Sequence, residues 1–197
     1  MTNDKSWAED LVRRVGLAAK AVRDKRSAKW LSEKTAELGY PISPTVIAKL
    51  DSGHRGEVLS VPELLILAAA LDVSPVNLVF PNPSDELTNL VEVLPGNKQT
   101  GFQAAQWFSG LRPGFSDRGR ASRPGESEGA AGRESLQARL AWKENTVALR
   151  GWRGLDNSRK LLNRYINDRR DRESVDALAL DVEMRERDLG IYRGDDA

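Results

Sequence analysis

The chain of 197 residues carries 30 Lys or Arg against 29 Asp or Glu, one histidine and no cysteine, a formal net charge of +1. The missing thiols exclude disulfides, cysteine-based zinc sites and thiol catalysis, and fit a cytoplasmic protein. No run approaches the ~18 uninterrupted apolar residues of a membrane span. The opening MTNDKSWAED lacks a basic region followed by an apolar core, so neither a membrane anchor nor a signal peptide is expected. Any affinity for a polyanion must come from local clustering of charge, because the net charge is close to zero.

The first part of the chain is punctuated as five short helices. Ser6 with Glu9 has the spacing of a capping box, and Leu11, Val15, Ala18 and Val22 mark one apolar face behind it. A second helix starts near Ser27, turns Trp30, Leu31 and Leu38 inward, and stops at Gly39. Tyr40 to Ile42 form a turn. Ser43 then reads as an N-cap and Pro44 as the first helical residue. Val46, Ile47 and Leu50 follow at helical spacing, and Gly53 stands where that helix ends. Ser60 and Glu63 make another capping box, ahead of Leu64, Leu67, Ala68 and Leu71 at core spacing. Ser74-Pro75 opens a fifth helix through Leu78, closed by Pro81 to Pro83.

Beyond residue 82 the pattern loosens. Leu87, Leu90, Val91 and Leu94 are expected to pack back on the helices, and Phe102, Trp107 and Phe108 suggest a short aromatic helix closing a core or a dimer seam. From 111 to 132 Gly, Ser, Pro and Arg dominate, the composition of a flexible linker. Helical spacing returns over 133–190. Leu136, Leu140, Val147 and Leu149 mark one helix, interrupted by Gly151 and Gly154. Leu161, Leu162, Tyr165 and Ile166 mark a second, and Val175, Leu178, Val182 and Leu189 a third. Arg139 to Arg172 holds ten basic against four acidic residues, and Glu173 to Ala197 three against eight. Such segregation suits helices that pair with each other or across a dimer. Residues 191–197 form a tail.

Within this frame, SPTVIAKLDSGHR (43–55) carries the strongest functional signal. Ile47 and Leu50 anchor its helix inward, which leaves Thr45, Ala48 and Lys49 on or near the outer face. His54 and Arg55, just past the helix, stand where phosphates could be held. The segment resembles the recognition helix and following turn of the Cro/C1 (XRE) helix-turn-helix regulators. VPELLILAAALDVSPVNLVF (61–80) is similar to that family's fourth and fifth helices, with the Leu-Ala-x-Ala-Leu core and the Val-Ser-Pro lead-in to the last helix. The resemblance covers about residues 7 to 80. Position by position it makes Pro44, Thr45, Val46, Ala48 and Lys49 base-facing or groove-facing, and His54 and Arg55 backbone-contacting. It sets Ser27 and Lys29 at the helix start that abuts phosphate, with Ser43 as the recognition helix's cap. Asp51 matches a usual Glu that ends that helix, and Gly53 the usual turn glycine. Two features depart from the family. The turn LGYPIS is longer than in compact members, and Pro44 and Ala48 stand where polar readers are common. That leaves Thr45 and Lys49 to hydrogen-bond bases and shifts weight to phosphates, methyl contacts and DNA shape.

The expected fold class is therefore all-α: a five-helix Cro/C1-type domain over 1–82, a short helical extension over 83–110, a flexible linker over 111–132 and a helical, dimerising region over 133–190. The resemblance implies a cytoplasmic regulator that binds double-stranded DNA as a homodimer, a repressor rather than an activator, including the prophage immunity type. The alternative is an antitoxin or adaptor whose C-terminal helices bind a protein partner, with DNA binding for autoregulation. A metal, a cofactor and an enzymatic role are not expected. The single histidine has no partner nucleophile, and neither a glycine-rich phosphate loop nor metal-ligand spacing is present in the sequence.

Overall fold

The computed structural model describes residues 6–83, 86–113 and 128–191. The chain divides into two compact units, Met1–Arg112 and Pro113–Ala197. Among the described residues it is mostly helical, and no helix is long and apolar enough to cross a membrane.

The first unit begins with α1 (Trp7–Arg23), α2 (Ala28–Glu37), α3 (Pro44–Asp51), α4 (Val61–Ala70) and α5 (Pro75–Val79). The cap signals in the sequence are used as read. The hydroxyls of Ser6, Ser27, Ser43 and Ser60 each accept the N–H three residues on. Proline occupies the first turn of α3, α4 and α5, where its missing N–H costs nothing. Only the cap of α4 closes as a reciprocal capping box, Glu63 accepting from the Ser60 N–H. Ser6 donates instead to Glu57, at 2.5 Å. At their C-termini α2 and α3 end in Schellman turns around the left-handed Gly39 and Gly53.

The core draws on every one of these helices: Val12 and Val15, Leu31, Ile47 and Leu50, Leu67 and Leu71, and Leu78 with Phe80. Helix α1 packs on α3 and α5, and α2 packs on α3 and α4. Some sequence expectations turn over here. Leu38 is 50% exposed and Val22 lies at the surface, whereas Thr35 and Arg23 are buried. Trp30 is half-buried beneath the Arg26 guanidinium, 4.1 Å from the ring centroid. The two inward polar groups are partnered, Thr35 with the Ser32 carbonyl and the Ile42 N–H, and Arg23 with Asp51 and the Arg26 carbonyl.

The region expected as a purely helical extension over 83–110 holds a hairpin, so the unit is not wholly α-helical. Strands β1 (Leu90–Leu94) and β2 (Asn97–Thr100) pair antiparallel, Leu90 opposite Thr100 and Glu92 opposite Lys98. The turn needs Gly96 at φ +74°, and the Gly96 N–H is taken by the Glu92 carboxylate at 2.6 Å. The run LVEVLPG carries the alternation and turn residues of a hairpin, which reading Leu90, Val91 and Leu94 as a bare apolar set overlooked. The aromatic helix follows as α6 (Gly101–Phe108), capped by the buried Thr100. Phe108 meets Phe80 edge to face at 6.0 Å, while Phe102 faces solvent.

The second unit contains α7 (Glu128–Asn145), α8 (Val147–Asn167) and α9 (Arg172–Asp188). Of the expected linker over 111–132, residues 114–127 lie outside the described residues, and 128–132 are already helical. Most of the expected tail also lies outside them. Gly151 and Gly154 do not interrupt a helix. The break falls at Thr146, and α8 runs unbroken through both glycines because they face α9. A Cβ on Gly151 would lie 2.9 Å from Leu189, and one on Gly154 would lie 2.7 Å from Arg185. Helices α8 and α9 pack on each other, with Leu155 buried, Ser158 donating to Asp181 and Arg159 paired with Glu186 at 2.5 Å.

Among the glycines of the first unit given a close neighbour, Gly16 of α1 leaves the least room for a side chain. A Cβ there would lie 2.3 Å from the Leu50 carbonyl oxygen. Gly16→Ala is therefore expected to destabilise the protein by about 1–3 kcal/mol, despite alanine's better helix propensity. Gly154→Ala, which meets only the mobile end of Arg185, should stay within about 1 kcal/mol of the wild type. Urea unfolding of both variants checks this, and an equal effect at the two sites would refute the close-approach argument.

Candidate nucleic-acid interface

Helix α3 is held at both ends and along one side. At its start the turn from α2 is pinned by Thr35, a residue with no exposed surface. Its hydroxyl donates to the Ser32 carbonyl at 2.8 Å and accepts from the Ile42 N–H at 3.0 Å. The long turn LGYPIS thus leaves Gly39 in a Schellman motif, buries Ile42 and delivers Ser43 as the cap. On the inner side Ile47 and Leu50 are buried, each worth about 1.5–3 kcal/mol of apolar transfer.

At the far end the α3 backbone sits against Gly16, and Asp51 meets Arg23 of α1. The contact is bidentate, Arg23 Nη2 donating to Asp51 Oδ2 at 2.7 Å and Nη1 to Oδ1 at 3.2 Å. Arg23 also donates from Nε to the Arg26 carbonyl at 2.8 Å. A carboxylate at a helix C-terminus opposes the helix dipole, so Asp51 alone would weaken α3. The buried guanidinium reverses that sign and ties α3 to α1. Sequence reading matched Asp51 to a helix-ending residue but did not foresee Arg23, whose charge looks like any solvated charge in a list of residues. Gly16 left a clearer trace, a glycine in the middle of a good helical run.

With its inner side anchored, α3 presents its other side. Ser43, Pro44, Thr45, Ala48 and Lys49 are exposed, and Val46 is half-exposed. The structure therefore brings the expected groove-facing residues together on one surface of one short helix. Ser43 has its hydroxyl committed to the cap. Ser27 and Lys29, at the start of α2, are also exposed; the Ser27 hydroxyl caps α2, and Lys29 lies 3.8 Å from Glu33. His54 is exposed past Gly53, and its N–H closes the Schellman turn on the Lys49 carbonyl at 3.0 Å.

Arg55 is placed differently from His54. It is mostly buried, its Nε donates to the Val58 carbonyl at 3.3 Å, and its guanidinium pairs with Glu63. Its first task is to tie the loop after α3 to the start of α4, so its charge is already paired and two of its N–H donors are engaged. Comparison with protein-family models, with curated proteins and with solved structures finds no match for this chain.

Glu63 gathers the loop. Burial pushes its pKa up, but the Ser60 N–H and hydroxyl and the Arg55 charge outweigh this and leave it below the ordinary 4.5. A carboxylate whose pKa is lowered by folding stabilises the native state fully above its unfolded value, and loses that contribution as pH falls through the folded one. Stability should thus drop in the acid range below 4.5 in part through Glu63. Glu63→Gln is expected to lower stability at neutral pH and to flatten the acid limb, as read from urea midpoints over pH. An acid limb as steep as the wild type's would sever this link.

Proposed function

We propose that this protein is a cytoplasmic transcriptional regulator that binds double-stranded DNA sequence-specifically through α3, as its Cro/C1-type helix-turn-helix resemblance implies. The observation that carries the reading is the division of α3 into two sides. Ile47, Leu50 and Asp51 are fixed to the core, while Thr45, Ala48 and Lys49 are exposed on a capped helix. A groove reader requires this: a rigid base, a helix that does not move when it docks, and free side chains directed outward. Lys49 and Thr45 supply donors to base edges, Ala48 and Val46 offer apolar contact to thymine methyl groups, and Ser27, Lys29 and His54 lie at the margins where phosphates pass.

One such helix covers few base pairs, so the regulator acts as a homodimer on a two-fold operator, and occupancy of that operator is its mechanism of repression. It performs no chemistry and needs no cofactor. A second reading, an antitoxin or adaptor, is favoured by a specific feature of the second unit. Trp152 on α8 and Leu180 and Met184 on α9 are each more than half exposed, large apolar side chains that a partner protein would cover. Sedimentation of the purified full chain separates the two. The regulator reading expects a dimer mass, and a monomer that forms a stoichiometric complex with a co-purified protein would favour the adaptor.

Selection of bound sites from random duplex DNA tests the main reading and defines the operator. On that operator Lys49→Ala is expected to weaken binding by about 1–3 kcal/mol and to relax preference at one base position. A variant that retains both the affinity and the preference of the wild type would remove α3 as the reader.

A further inference from the structure

Helix α8 has two sides of opposite character. Gly151, Leu155 and Ser158 face α9. Arg150, Arg153, Asn157, Lys160 and Arg164 recur at alternating steps of three and four residues, which at about 3.6 residues per turn places them in one line along the helix. Arg150, Asn157, Lys160 and Arg164 are exposed and Arg153 is half-buried. From Arg150 to Arg164 the line is about 21 Å long at the rise of an α-helix.

Among the described residues, carboxylates of the second unit do little to neutralise this line. Glu186 is spent on Arg159, Asp181 on Arg185 and Ser158, and Glu183 on Arg187. Among the described residues no carboxylate pairs with Arg150, Arg153 or Arg164. Lys160 has Asp156 at 2.6 Å, a pair exposed at 71% and 60% and so worth little in water. Arg150 donates to the Lys143 carbonyl at 3.1 Å and lies 5.8 Å from the Trp142 ring, which orients it without cancelling its charge. Like charges one turn apart destabilise a helix, so the line is held against its own repulsion.

We propose that the outer side of α8 is a second, sequence-independent contact to the phosphate backbone of duplex DNA. A straight row of cations with a single amide among them has the chemistry to follow a row of phosphates and little to read bases with. The outer side of α9 in a second copy fits less well, because the exposed Leu180 and Met184 interrupt its row of carboxylates, Asp176 and Glu183. The inference rests on duplex DNA being the partner, not on α3 being the reader.

The test uses the full chain and a random-sequence duplex, with affinity followed by fluorescence anisotropy over a range of salt. Replacing Arg150, Lys160 and Arg164 together by Gln is expected to lower the slope of log affinity against log salt by about two to three, with helix content unchanged by circular dichroism. The charge-keeping pair Arg150→Lys and Arg164→Lys should retain the wild-type slope. A triple variant with the wild-type slope and affinity overturns the inference, as does one whose slope is unchanged while its sedimenting mass falls, which would give the line to a second copy. If the wild type binds no duplex at all, the proposed function fails together with the inference. If the triple variant loses slope while Lys49→Ala changes nothing, the α8 contact stands and α3 is not the reader.

Discussion

The contact between the backbone of α3 and Gly16 of α1 is the constraint on which the first unit turns. Hydrogen at this position lets the Leu50 carbonyl come within a distance that any side chain would forbid. That approach brings Asp51 into reach of Arg23, and the bidentate pair then closes the far end of α3 against α1. Ile47 and Leu50 fall into the core as a result, and Thr45, Ala48 and Lys49 are left outside. A slightly longer separation would loosen all of these together, because protein interiors are close-packed and a shifted helix cannot keep half of its contacts.

Charge has several fates in this chain, and they explain why a net charge of +1 says little about it. Arg23 is buried, with each guanidinium nitrogen donating one hydrogen bond, a strut rather than a surface charge. Arg55 and Glu63 staple a loop to a helix start. Arg159 holds α8 to α9 through Glu186, while Arg185 pairs with Asp181 one turn away on α9 itself. Lys49 and the line along α8 are of the same residue types, yet they face outward. The difference is whether the partner that folding brings within reach is buried along with the charge, because a pair formed away from water holds its geometry where an exposed one does not.

Much of the helical frame was legible in the residues, for a local reason. Ser27, Ser43 and Ser60 satisfy N–H groups three residues away, and Gly39 and Gly53 supply left-handed backbone next to the helices that they close. Caps act within one turn, so their signal is written in adjacent residues. The outer side of α3 was legible for the same reason, since a helix with Ile47 and Leu50 inward has a defined other side. The hairpin at Leu90–Thr100 and the continuity of α8 through Gly151 and Gly154 were missed, because a glycine or a β-branched pair has opposite meanings according to what stands across from it.

Helix ends, turn glycines and the apolar stripe of α3 therefore belong to the sequence, because each depends on neighbours fixed by covalent connection. Tertiary structure alone decided which charges are struts and which face outward, which helical glycines are points of close contact, and that Thr35 and Arg23 enter the core while Leu38 leaves it. Those outcomes depend on groups such as Asp51 for Arg23, Ile42 for Thr35 and Leu50 for Gly16. Their distances are set by helix packing, and no local pattern of residues encodes them.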